Sequence, residues 1–138
     1  PGIIVDAAGC ELGMHDGVAF YTIGQRKGLG LPRGWSIIAI DAERNRLVAG
    51  EERLLLHHTL EIVDCRLVDR DEVLGARDIR VVIRGIGRNP EGFASVSPTA
   101  SGIRLELEDA AWAPAVGQPV VLYREERVVG GGILERYY

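Results

Sequence analysis

The chain holds 138 residues, 46% of them hydrophobic and 26% charged, enough to bury a real core as one ordinary domain or two small ones. Its formal charge of −4 excludes a uniformly basic nucleic-acid coat, although a sum says nothing of local patches. No apolar run approaches the ~20 residues of a bilayer span and no basic-then-apolar leader precedes the first strand pattern, so no membrane is expected and a cytoplasmic address is the default.

Pro1 to Asp6, "PGIIVD", enters a strand pattern at once, as a fragment or processed chain beginning at a domain edge would. "GIIVD-AAG-CELG" reads as strand, turn at Gly9, strand, and "WSIIAID-AERN-RLVAGE" repeats the device around a polar turn at Glu43 to Asn45. Between them, "HDGVAFYTIGQRKGLGLPRG" begins with a run too short for periodicity to divide helix from strand. It ends as a loop punctuated by Gly28, Gly30, Pro32 and Gly34.

Beyond "EERLLLHH" the texture changes, and a boundary is expected between units 1–57 and 58–138. "TLEIVDCRLVD" and "DIRVVIRGIG" are strand-like. "GFASVSPTASGIRLELED" is the clearest hairpin, because Ile103, Leu105 and Leu107 alternate with Arg104, Glu106 and Glu108 and so share one face. "PVVLY-REE-RVVGGGILERYY" supplies a last hairpin. Dense turns, five or six strands after the boundary and no long helix make the chain all-β, with a small closed barrel in its second part.

Four segments carry residue types suited to chemistry. "YTIGQRKGLGL" sets glycines around Gln25, Arg26 and Lys27, the chain's one lysine. Backbone N–H groups of such a turn can converge on an anion, but the run has neither the Lys-Ser/Thr ending of a P-loop nor dinucleotide glycine spacing. An RNA backbone or another domain suits it better, and a solvated loop is the plainer reading. In "IRGIGRNPEG", Arg84 ends a strand and Arg88 sits in a turn, where arginines fork onto phosphates or base edges; ordinary surface charge is the alternative.

In "AWAPAVGQPVVLY", Trp112 reads as packing, while Gln118 can exchange hydrogen bonds with RNA or merely punctuate a turn. In "VVGGGILE", three glycines inside a strand point to a bulge, a bend or close backbone approach more than to a phosphate cradle. Catalysis finds little support. His15-Asp16-Gly17 reads as a turn more readily than as a base beside a carboxylate. Cys10 and Cys65 form no C-x-x-C pair, and with His15, His57 and His58 they make no zinc set, so no metal is expected.

Taken in order, "GCELGMHDGVAFYTIGQRKGLGL", "AIDAERNRLVAGEE" and "AVGQPVVLYREERVVGGGILE" closely resemble the C-terminal part of tRNA-specific 2-thiouridylases. The resemblance covers essentially the whole chain. It implies a small β-rich central domain followed by a translation-factor-like β-barrel that helps hold tRNA. It also implies an ATP-pyrophosphatase catalytic domain as partner. That domain adenylates the wobble uridine and replaces its 2-oxygen by sulfur; its ATP and Mg, its SGGxDS loop and its two catalytic cysteines lie outside this chain. Cys10 and Cys65 do not occupy the catalytic contexts, so no catalytic residue and no cofactor are expected here.

Carried over by residue, Arg84 matches the arginine of an "R-Y" tRNA contact, while Gly85 stands where many members have tyrosine, removing a stacking or hydroxyl contact. Gln118 matches the glutamine of a "GQ" tRNA-contacting turn. Gln25, Arg26 and Lys27 would face RNA or the catalytic domain. The expected function is tRNA-binding and substrate-positioning within a 2-thiolation enzyme. Its alternative is a protein-interaction module that docks the catalytic domain and touches RNA weakly.

Overall fold

The computed structural model describes residues 1–83 and 88–138. The fold is all-β, in two compact units, Pro1–Leu55 and Leu56–Tyr138.

In the first unit, β1 (Gly2–Val5) and β2 (Glu11–His15) form one hairpin, and β3 (Trp35–Asp41) and β4 (Arg46–Glu51) another. β1 lies parallel to β4, with Ile4 opposite Leu47, giving the order β2-β1-β4-β3. Asn45 adopts φ 53° in the second turn, a backbone state asparagine tolerates better than most residues. The run whose periodicity is indecisive contains a single 3₁₀ turn, Val18–Phe20. Ile4, Ile37, Leu47 and Ala49 form the core, and Tyr21, Leu29, Leu31 and Trp35 pack against it.

The second unit is one six-stranded sheet. Its strands are β5 (Leu56–Leu67), β6 (Arg80–Val82), β7 (Ala94–Pro98), β8 (Gly102–Trp112), β9 (Pro119–Arg124) and β10 (Arg127–Tyr137). Spatial order is β6-β9-β10-β5-β8-β7. The edges meet where Ile79 and Ala94 exchange two backbone hydrogen bonds, the N–H of Ala94 donating to Ile79 at 2.7 Å and that of Ile79 to Ala94 at 3.4 Å. The N–H of Val96 adds a third bond to the carbonyl of Ala76.

The buried residues alternate as a one-sided strand requires: Leu60 and Ile62, Val81 and Ile83, Ala94 and Val96, Ile103, Leu105 and Leu107, Val120 and Leu122. Strand β10 breaks this phase, because Val129 and Leu134 are both buried across register shifts near Gly130 and between Gly131 and Ile133. An extra residue at a bulge turns the following side chains to the other face. Packing explains the glycines. A Cβ on Gly131 would stand 2.5 Å from the carbonyl oxygen of Val120, and one on Gly132 2.5 Å from that of Val63.

A short helix, α1 (Arg70–Val73), follows β5. Asp69 caps it, its Oδ1 accepting from the N–H of Asp71 at 3.0 Å, and Val73 enters the core.

Candidate nucleic-acid interface

Strand register gathers several loops at one end of the second unit. Leu56 opposes Trp112, Leu60 opposes Tyr137, Pro119 opposes Ile133, Val82 opposes Val121 and Ala94 opposes Leu107. The end of β8, the turn into β9, the end of β6 and the start of β7 therefore lie on the same side.

Gln118 sits in the turn into β9 and is built into it. Its Oε1 accepts from the N–H of Ala115 at 3.0 Å, and its own N–H donates to the Ala115 carbonyl at 3.1 Å. Two more bonds tie the turn to β10, Gly117 N–H to Leu134 at 2.8 Å and Leu134 N–H to Gln118 at 2.9 Å. An N–H needs an acceptor, so the Gln118 oxygen is assigned and Nε2 is the donor that remains for a ligand. Arg84 and Gly85 lie outside the described residues. On the far side of that gap, Asn89 Oδ1 accepts from the N–H of Ile83 at 2.7 Å, and the Arg88 guanidinium lies 5.4 Å from the centroid of the Trp112 ring.

This Arg88–Trp112 pair is what sequence reading passes over. Trp112 reads as packing, and no periodic rule links residues on different elements. The usable signal is an aromatic at the end of an amphipathic strand, beside the same expected turn as Gln118.

Gln25, Arg26 and Lys27 occupy a loop braced on the first unit. The N–H of Ile37 donates to the Gln25 carbonyl at 3.0 Å, and that of Gly24 to Ile37 at 2.7 Å. The Gln25 amide bridges the loop, accepting from Thr22 N–H at 3.2 Å and donating to the Lys27 carbonyl at 3.4 Å. Arg26 pairs with Glu52. Among the described residues Lys27 makes no ion pair, so it is the loop's outward cation. The loop does not fit a nucleoside triphosphate, since one cation is neutralised and Leu29 and Leu31 are spent on the core.

His15 is buried, and both ring nitrogens serve the backbone. Nδ1 accepts from the N–H of Gly17 at 3.0 Å and Nε2 donates to the Asn45 carbonyl at 3.0 Å. These bonds tie β2 to the β3–β4 turn and leave no ring nitrogen for a substrate. Cys10 is exposed; Cys65 is half-buried, and its Sγ–H points to the Ile62 carbonyl at 3.4 Å. Burial pushes the Cys65 thiol up, which makes it a poor nucleophile at neutral pH.

Two family models match in series: a tRNA methyl transferase PRC-barrel domain over residues 1–51 and an aminomethyltransferase beta-barrel domain over residues 57–134. The chain is similar to tRNA-specific 2-thiouridylase MnmA of Moorella thermoacetica, 41% identical across 98% of this chain and 38% of that protein. The Clostridium perfringens protein of the same name is 38% identical over the same shares. That of Heliobacterium modesticaldum is 37% identical over 99% of this chain and 36% of its own length. The chain belongs to the tRNA-specific 2-thiouridylase family.

It corresponds to a C-terminal portion of such a 2-thiouridylase and spans 38% of the length of the first two relatives. The joint between the two matched models falls at residues 52–56, where the 3₁₀ turn Glu52–Leu55 leads into β5. Among the described residues no helix is long and apolar enough to cross a membrane, and no group of three His, Cys, Asp or Glu is placed to hold a metal.

Proposed function

We propose that this chain binds tRNA at the loop-bearing end of its second unit and positions it for 2-thiolation of a wobble uridine. The chemistry, with its ATP, then belongs to a catalytic domain in the part of the family's length that this chain does not span. The observation carrying the reading is the family match across both units. Its local support is Gln118, locked into its turn with one amide group left to donate. A donor held by four turn bonds meets a ribose or base with little further loss of side-chain entropy. Arg84 is the cationic contact carried over from the family resemblance, and Lys27 in the first unit adds a phosphate-seeking charge.

Binding of a labelled tRNA transcript, followed by fluorescence anisotropy at fixed low salt, tests this. Arg84→Ala is expected to weaken binding about tenfold and to flatten the salt dependence by one phosphate contact. Gln118→Ala is expected to cost about fivefold, the worth of one neutral hydrogen bond. Unchanged affinity in both variants removes the carried-over contacts.

A second reading, docking of the catalytic domain, is favoured by apolar exposure in the first unit, where Met14 is 70% and Phe20 77% accessible. Where such groups adjoin in one apolar patch, they mark an interaction surface. Titration against a separately produced ATP-pyrophosphatase domain distinguishes the two. Tight docking with no measurable tRNA affinity supports the second, and tRNA binding by the chain alone supports the first.

A further inference from the structure

A cavity of about 310 Å³ opens beside Trp112, lined by Arg88, Asn89, Glu91, Asp109, Ala110 and Trp112. Its volume is at the lower end of the ~300–1,000 Å³ typical of small organic ligands. One wall is layered: the Arg88 guanidinium lies over the Trp112 indole, and flat cationic and aromatic surfaces of this kind are where unpaired bases stack.

The cavity's other charged lining residues are acidic, Glu91 and Asp109. Gly92 adopts φ 72° and packs so closely on β8 that a Cβ there would stand 3.0 Å from Asp109 Oδ2 and 2.9 Å from Glu108 Oε2. Asn89 is tied to the end of β6, its Oδ1 accepting from the N–H of Ile83.

Charge decides what such a cavity accepts. Among the described lining residues, Arg88 contributes one positive charge, while Glu91 and Asp109 contribute two negative ones. A phosphate would meet net repulsion; a neutral base with N–H donors on its edge would not. Guanine alone among the four common bases presents two adjacent donors there, N1–H and N2–H. A carboxylate accepts such a pair with two parallel hydrogen bonds, as it does from an arginine fork. Uracil offers one imino donor; cytosine and adenine offer one amino group.

The geometry points to a base-reading subsite: the Arg88–Trp112 layer stacks an unpaired guanine of the bound RNA, and Asp109 with Glu91 reads its donor edge. This assignment rests on the tRNA-binding reading and adds to it a selection step made within this chain, on a nucleotide distinct from the uridine that is thiolated.

The test uses the full 138-residue chain carrying Trp35→Phe, which leaves Trp112 as the sole tryptophan. Fluorescein-labelled hexauridylate is compared with hexamers bearing one central guanosine, adenosine or cytidine, by anisotropy and by quenching of Trp112. The guanosine hexamer is expected to bind about tenfold more tightly than hexauridylate, with Trp112 quenched in parallel. Asp109→Asn should bring that preference within twofold, because the amide replaces one acceptor by a donor. Trp112→Leu should weaken all hexamers at least about tenfold, and Trp112→Phe, which keeps a ring and the packing, should recover most of the loss.

Equal binding of all four hexamers, or a guanosine preference untouched by both Asp109→Asn and Glu91→Gln, overturns the subsite. If a tRNA transcript still binds in that case, the tRNA-binding reading stands without it. If the unsubstituted chain binds neither transcript nor hexamer, both fall.

Discussion

Gly28 and Gly30 in the first unit and Gly130 to Gly132 in the second are both glycine clusters beside arginines, and either could pass for an anion cradle on sequence. The structure gives them opposite reasons. Gly28 and Gly30 take φ 77° and 64°, and a Cβ on either would meet nothing within 4 Å. Glycine is there for the backbone angle, which lets Leu29 and Leu31 turn into the core. In β10 none of the three glycines has a positive φ, and what each lacks is room. A glycine cluster therefore reports a constraint without naming it, and neither cluster is arranged around an anion.

Substitution by alanine separates the two constraints. Gly132→Ala should cost most, about 3 kcal/mol in urea unfolding of the second unit, because the displaced neighbour is backbone. Gly30→Ala should cost about 1–2 kcal/mol, the penalty of an L-residue in the left-handed region, and Gly30→Asn clearly less. A loss at Gly30 equal to that at Gly132 would break the contrast.

Smaller again is an acid-side effect. The side-chain hydrogen bond from Arg127 holds the Glu72 carboxyl below its ordinary value. A depressed folded pKa gives stability that is present above the unfolded value and is lost as pH falls through the folded one. Glu72→Gln should therefore flatten the fall in the second unit's midpoint below about pH 4 and leave it unchanged at pH 7 relative to pH 6. The least perturbing probe is thiol labelling: Cys10 should react at the rate of a free peptide thiol, and Cys65 only as fast as its surroundings open. Equal rates would mean that β5 is not packed as described.

Much of the fold is legible from alternation. Ile103, Leu105 and Leu107 point inward because β8 has one face in the core and one in water, and a period of two records that directly. Both hairpins of the first unit are equally plain from their polar turns. Strand β10 is not, because bulges at the glycines reset its phase and a fixed period cannot follow a reset. Helix α1 escapes for a different reason. Four residues carry no periodicity, although Asp69 ahead of Asp71 and Glu72 is a capping signal in hindsight.

Of the candidate site, Gln118 is visible through its turn. The Arg88–Trp112 layer depends on a loop residue and the end of β8 being brought together by strand order, and spacing along the chain says nothing about that. His57 and His58, read at the unit joint, lie inside β5, which begins at Leu56.

The seam between Ile79 and Ala94 has a consequence for how this end of the barrel can change. The closure between Ile79 and Ala94 is made by backbone groups, so it does not depend on the side chains of the described residues Arg88 to Phe93. Substitutions among those described residues are free to alter the surface while the strands stay paired. The seam itself is thin, a few hydrogen bonds against the long ladders of β5, β8 and β10. In amide exchange Ala94 and Ile79 should lose protection before Leu60 or Leu105. The barrel would then open first at this seam, beside the candidate interface, so that this edge is the part that adjusts first to a partner.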